Sequence, residues 1–119
     1  MSDDESLELA RRIARLTLTK KAEDVHILDL RDLSSVTDFF VICHGDSEIQ
    51  VKAIADAVLE GLKKEGVRVW HKEGYDYMNW VLLDYVDVVV HVFHRDVRTF
   101  YGLERLWGDA SVETVVEEH

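Results

Sequence analysis

Proline is absent from this 119-residue chain and cysteine occurs once, at position 43. With a single cysteine no intrachain disulfide can form, and a reducing compartment is the natural setting. The missing proline removes one source of sharp element breaks and decides nothing about function. Long apolar runs are lacking too: none approaches the roughly 20 residues of a membrane span. The N-terminus, Met-Ser-Asp-Asp-Glu-Ser, lacks the cationic-then-apolar order of a signal peptide. A cytoplasmic protein without a membrane association is therefore expected. Basic residues are scarce, with 14 Lys and Arg against 24 Asp and Glu and a formal net charge of −10. Phosphate-tracking surfaces draw affinity from Lys and Arg that release counterions, so little direct nucleic-acid binding is expected. Basic proteins or small molecules are the partners that such a charge favours.

What is present is an ordinary globular composition, 47% hydrophobic and 32% charged. This length fits one domain over residues 1–119, burying roughly two-thirds of its unfolded surface. A core of about 7–107 and a loose acidic tail over 108–119 are expected. Residues 3–20 read as an amphipathic helix, with Ser2 and Glu5 at capping-box spacing and Leu7, Ala10, Ile13 and Leu16 on one face. Strands are predicted at Val25–Leu30, Phe39–His44 and Val67–His71. Between the last two, a helix over about Ser47–Glu65 is marked by Ser47-x-x-Gln50 at its start and Gly66 past its end. A final helix is expected from Asp96 to about Trp107, packed through Phe100, Leu103, Leu106 and Trp107, with Tyr101 also in the core.

The stretch Trp80–Phe93 organises the rest. It carries β-branched and aromatic residues on both sides of Asp84-Tyr85-Val86-Asp87, which fits two tightly joined strands, the second buried on both faces. Alternation puts Trp80, Leu82 and Asp84 on one face, and Val81, Leu83 and Tyr85 on the other. Asp84 should meet water, which leaves Trp80 and Leu82 on the wetter side as a docking stripe. Together the elements predict an α/β (α+β) fold, a mixed sheet of about five strands with flanking helices.

Chemistry is harder to find. Metal-dependent transfer needs carboxylates that leave a strand by the same face, and Asp29/Asp32 and Asp84/Asp87 are spaced to diverge. Asp46 and Glu48 flank a helix start, where capping explains them. Cys43 and His44 are neighbours and point to opposite faces of a strand, so they cannot pair with each other. His91-x-x-His94 fails as a chelate on the same geometry. His91 reads as a core histidine bonded to a neighbour. No Walker loop, dinucleotide fingerprint or nucleophile elbow is present. Catalytic, cofactor and metal sites are therefore expected to be none.

The run Asp38-Phe39-Phe40-Val41-Ile42, then Gly45-x-Ser47, Ile54-Ala55-Asp56, Glu73-Gly74, Trp80-Val81-Leu82-Leu83-Asp84, Asp87-Val88-Val89-Val90-His91-Val92-Phe93 and Arg98-x-x-Tyr101-x-Leu103-Glu104-x-Leu106-Trp107 resembles the ribosomal silencing factor (Iojap) family. The match spans about Leu7 to Trp107. Two departures are Val86, where the family often has Gly, implying a looser turn, and Asn79, where Asp or Gly commonly precedes the Trp. The resemblance implies a nucleotidyltransferase-like fold without the catalytic carboxylates and a non-enzymatic task. Such proteins bind the large ribosomal subunit through its fourteenth large-subunit protein, block subunit joining and so repress translation. Organellar relatives aid large-subunit assembly. The expected partner-binding residues are Glu73, Trp80, Leu82, Asp84, Tyr85 and Asp87. Two alternatives stay open: a homodimer pairing the Trp-Leu stripe with itself, and residual nucleotide binding through Asp84, Asp87 and the Gly45–Ser47 turn.

Overall fold

The computed structural model describes the backbone of residues 3–117 and the side chains of residues 5–98 and 102–117. The proposed Ser2 cap and the packing of Phe100 and Tyr101 lie outside the described residues. Helix α1 (Asp3–Leu18) is followed by strands β1 (Glu23–Asp29) and β2 (Phe39–Gly45), helix α2 (Glu48–Lys64) and strands β3 (His71–Glu73), β4 (Trp80–Asp84) and β5 (Val88–His94). Helices α3 (Arg95–Tyr101) and α4 (Leu103–Leu106) and strand β6 (Ser111–Val115) close the chain.

The strands form one six-stranded mixed sheet in the order β3-β4-β5-β2-β1-β6. Only β2 and β5 run parallel, and they lie in the middle. Apart from Phe40 and Val89 near their starts and His94 at the end of β5, these central strands are buried on both faces, which is why Phe-Phe-Val-Ile-Cys-His and Val-Val-Val-His-Val-Phe read as nearly unbroken apolar runs. One face carries α1 and α2. Ile13 and Ala14 of α1 and Ile54, Val58 and Leu62 of α2 bury themselves against Val41, Leu83, Val90 and Val92. The start of α2 follows its signature: the Ser47 hydroxyl accepts the Gln50 N–H at 3.1 Å, and the Gln50 side chain reaches back to the Asp46 N–H at 2.7 Å.

The second face is covered in part. Its apolar cluster contains Leu28, Leu30, Ile42 and Phe93, with Val97, Leu103 and Trp107 from the α3–α4 segment packed over it. Gly102, at φ +59, breaks the single predicted C-terminal helix into α3 and α4. Leu106, expected to pack, is instead 73% exposed.

Three further expectations change. The third strand is His71–Glu73 rather than Val67–His71, because Val67 and Val69 pack against the helix-side core ahead of it. The sheet has six strands, since the tail supplies β6. Residues 108–117 are accordingly not a loose tail: Ser111–Val115 pairs antiparallel with β1 along Val25–Asp29. Ion pairs fasten it, from Arg11 to Glu113 at 2.7 Å and from Lys21 to Glu117 at 3.1 Å. Burial of Val115 and those distant cations turn an acidic segment into an edge strand.

Candidate docking face

Strand register decides which side chains share the second face. Opposite Trp80, Leu82 and Asp84 on β5 stand Phe93, His91 and Val89, and beyond them on β2 lie His44, Ile42 and Phe40. On the outer side Glu73 pairs with Leu82 and His71 with Asp84. Residues directly opposite across a ladder project to the same side. Trp80, Leu82, Val89 and Phe40 therefore form one half-buried apolar strip, with Glu73 and Asp84 along its outer flank and Trp107 at its inner rim.

Trp80 is held from two directions. Its ring stacks on Phe93 with centroids 5.2 Å apart, and its Nε1–H donates to His91 Nδ1 at 3.0 Å. The Tyr75–Met78 loop does not cover it, because Tyr75 and Met78 pack on the helix-side core. His91 is 3% exposed, and burial pushes its pKa down to about 3, so the ring is neutral. The Trp80 bond makes Nδ1 the acceptor and places the proton on Nε2. Phe40 meets the imidazole edge-on at 4.5 Å.

The acids have local duties. Asp84 Oδ1 accepts the Val86 N–H at 2.7 Å, closing the β4–β5 turn. The Asp87 carbonyl accepts the N–H groups of Asp38 and Phe39 at 2.9 and 3.1 Å, tying the turn to the start of β2. Glu73 is exposed and bonds His71 at 2.8 Å. Tyr85 does not join the strip. One residue beyond Asp84, it projects to the opposite face and is 7% exposed, and burial pushes its phenol up to about 12. Val86 adopts φ +75, so the turn is tight and strained rather than looser.

Sequence reasoning missed Phe40, His91 and Val89 as members of this face. Alternation from Trp80 fixes parity within β4, but only the ladder shows which parity of β2 and β5 joins it. Gly74 carries no role that its sequence neighbourhood alone reveals. At φ +94, a Cβ there would lie 2.0 Å from the Trp80 carbonyl oxygen, so only glycine lets the loop close against the strip's first residue.

At the far end of the face lies a polar recess. Arg98, 8% exposed, forks onto Glu104 at 2.9 and 3.0 Å and donates to His44 Nδ1 at 2.9 Å. His44 Nε2 in turn faces Glu23 at 3.0 Å. Burial acts to raise the Glu104 carboxyl, but its bonds to Arg98 and His26 outweigh that and hold it below the usual range. Glu23, His44 and Asp46 have the one donor grouping of metal-binding type among the described residues. The arrangement suits a cation poorly: Arg98 occupies the nitrogen that a ligating histidine normally turns to a carboxylate or carbonyl, and Arg95 bonds Asp46 at 3.3 Å. Cys43 is fully buried and its thiol is pushed up to about 12, an inert packing residue.

Comparison with known proteins identifies the family. The family model "Ribosomal silencing factor during starvation" matches residues 3–119. Ribosomal silencing factor RsfS of Bacillus subtilis is 52% identical over 91 residues, covering 76% of this chain and 77% of that protein. RsfS of Halalkalibacterium halodurans is 48% identical over 110 residues, covering 92% of each. A solved protein from Chromobacterium violaceum superposes with a TM-score of 0.80 at 37% identity, covering 98% of this chain and 95% of that one. On these grounds the chain belongs to the ribosomal silencing factor family.

Proposed function

We propose that the chain represses translation by occlusion: it docks on the large ribosomal subunit through the fourteenth large-subunit protein and occupies space that the small subunit needs. The observation that carries this reading is the half-buried apolar strip on the second sheet face. A Trp, a Leu, a Phe and a Val stand together there, half-buried, with acids along one edge. A large aromatic in a partly desolvated setting with a polar rim is the anatomy of a protein-binding hot spot. The formal charge of −10 steers the chain towards a basic ribosomal protein.

Each group then has a task. Trp80 and Leu82 supply apolar contact area, extended by Phe40 and Val89. Glu73 and Asp84 face Lys or Arg of the partner, with Asp87 next to the turn. The present Glu73–His71 pair is exposed and weak, so exchanging it for a partner's cation costs little. Occlusion follows from shape and needs no turnover, nucleotide or metal. The same docking also suits a role in large-subunit assembly.

The test is co-sedimentation with isolated large subunits, isolated small subunits and joined ribosomes. Saturable pelleting with large subunits alone is expected. Trp80→Ala should weaken it by about 2 kcal/mol or more, roughly thirtyfold, while the protein stays folded. Normal pelleting by Trp80→Ala, or its unfolding, removes the anchor assignment. Absence of pelleting, with concentration-dependent sedimentation that vanishes in Leu82→Glu, would assign the strip to pairing between two copies of the chain instead.

A further inference from the structure

His91 is the anomaly of the second face. A central, valine-rich strand holds a histidine that is 3% exposed, whose Nε2 has no hydrogen-bond partner among the described residues. A buried donor without an acceptor is a net cost, and an apolar side chain at this position would avoid it. A core histidine kept for stability would use both ring nitrogens. Here only one is used among the described residues, and its bond goes to the indole of Trp80, a side chain from the neighbouring strand at the edge of the half-buried strip.

The packing around the ring is aromatic, from Phe40, Trp80 and Phe93. Phe40 closes it edge-on at 4.5 Å, and the imidazole lies nearly parallel to Phe93, which itself stacks under Trp80 at 5.2 Å. Stacking alone leaves an indole free to slide or turn over its neighbour. A directional bond at Nε1 fixes which edge of the indole points inward, and therefore which edge points out. The neutral ring, with Nδ1 unprotonated, is the form that can accept it.

We propose that His91 is a positioning residue for the docking strip: through Nδ1 it fixes the Trp80 indole in one orientation, so that the strip meets its partner already ordered. The proposal rests on the docking reading above. Immobilising a rotamer-rich side chain on binding weakens association, and a side chain ordered beforehand escapes that loss. Retention of a half-satisfied histidine in the core then has a reason: the cost falls on stability and the benefit on recognition.

Two variants separate position from structure. His91→Leu removes the acceptor and fills the site with an apolar group. His91→Asn places an oxygen the same number of bonds from Cβ as Nδ1. The first readout is hydrogen exchange of the Trp80 indole N–H in the isolated protein, resolved by NMR from those of Trp70 and Trp107. Wild type and His91→Asn should protect it, and His91→Leu should lose protection without a lower Tm. The second readout is pelleting with large subunits, expected to be about three- to tenfold weaker for His91→Leu and restored towards wild type by His91→Asn. A wild-type indole that exchanges as fast as that of Trp70, or His91→Leu that stays folded and binds at full strength, would overturn the proposal. If wild type itself fails to pellet, the docking reading falls and the ordering claim with it; a protected wild-type indole beside full-strength His91→Leu binding sinks the ordering claim alone.

Discussion

The two faces of this sheet are built from similar residues and finished differently. On the helix side the core between α1, α2 and the strands is closed to water: Ile13, Ile54, Val58, Leu62, Leu83 and Val90 are all 0% exposed. On the other side the α3–α4 segment packs over Leu28, Leu30, Ile42 and Phe93, and Trp80, Leu82, Val89 and Phe40 remain in partial contact with water. The second side carries a buried imidazole whose Nε2 has no partner among the described residues, and the hairpin turn at its end holds a non-glycine residue at positive φ. Such local departures from the best-packed choice tend to collect where a protein meets something else. On the proposed reading one face carries stability and the other recognition, and substitutions can be used to ask how far the two are separate.

The largest effect should come from the filled face. Ile54→Ala empties a fully buried site and should cost about 4 kcal/mol, read as a lower denaturant midpoint with an unchanged slope. Pelleting per folded molecule should not change. If it drops as far as for Trp80→Ala, the two faces are coupled through the strands and the division fails. Gly74→Ala comes next, at roughly 3 kcal/mol, because the new Cβ would meet the Trp80 carbonyl oxygen at 2.0 Å in a backbone conformation with φ +94. Unlike Ile54→Ala it should weaken both stability and docking, since relief of the clash must move Trp80. A Gly74→Ala protein that loses stability alone would show that the position of the strip's first residue is tolerant.

Much of this was legible in the sequence, and what was not has physical causes. Ser47, Gln50 and Gly66 act over one helical turn, so their roles follow from spacing alone. The exposure of Trp80 and Leu82 came from alternation anchored by Asp84, again a local pattern. The strand at Ser111–Val115 depends on Arg11 and Lys21, about a hundred residues away, and no local signal marks that dependence. The same holds for His91: the sequence shows an imidazole among valines, and only the pairing of Leu82 with His91 brings it within reach of Trp80. Tyr85 shows the reverse case. Its own alternation already put it on the other face, and including it in the docking set followed proximity along the chain rather than parity.

Acid should act on the second face first. An unfolded imidazole titrates near 6.5, whereas folded His91 does so at about 3, so between those values the unfolded chain binds more protons. Stability is therefore full above pH 6.5 and falls as the pH is lowered towards 3. At pH 4.5 the loss from this group should be about 3 kcal/mol. Asp29, held low by its bond to Arg31, and Glu104 depart in the same direction but titrate below the carboxylate range, so they contribute later in the fall. Denaturant midpoints at pH 7 and pH 4.5 check this: wild type should lose stability between them, and His91→Leu should lose distinctly less. Equal losses would place the acid sensitivity elsewhere and leave the imidazole without an energetic signature.

Val86→Gly is the smallest change and the only one expected to stabilise. A β-branched residue at φ +75 carries roughly 1–2 kcal/mol of backbone strain, which glycine relieves. Glycine's greater freedom in the unfolded chain offsets about 0.5–1 kcal/mol of that gain. The net should be near 0.5–1 kcal/mol, a rise in Tm of about 3 °C. Asp84 Oδ1 and the Tyr85–Val88 bond at 2.9 Å hold the turn in either case, so the strip itself should not move. Val86 is 53% exposed at the end of the hairpin, next to Asp87. If the variant gains stability and pelleting is unchanged, the boundary of the recognition face lies at Asp84. If it gains stability and pelleting weakens, the valine side chain is itself part of the contact, and the strain at this turn belongs with His91 as a cost that serves binding.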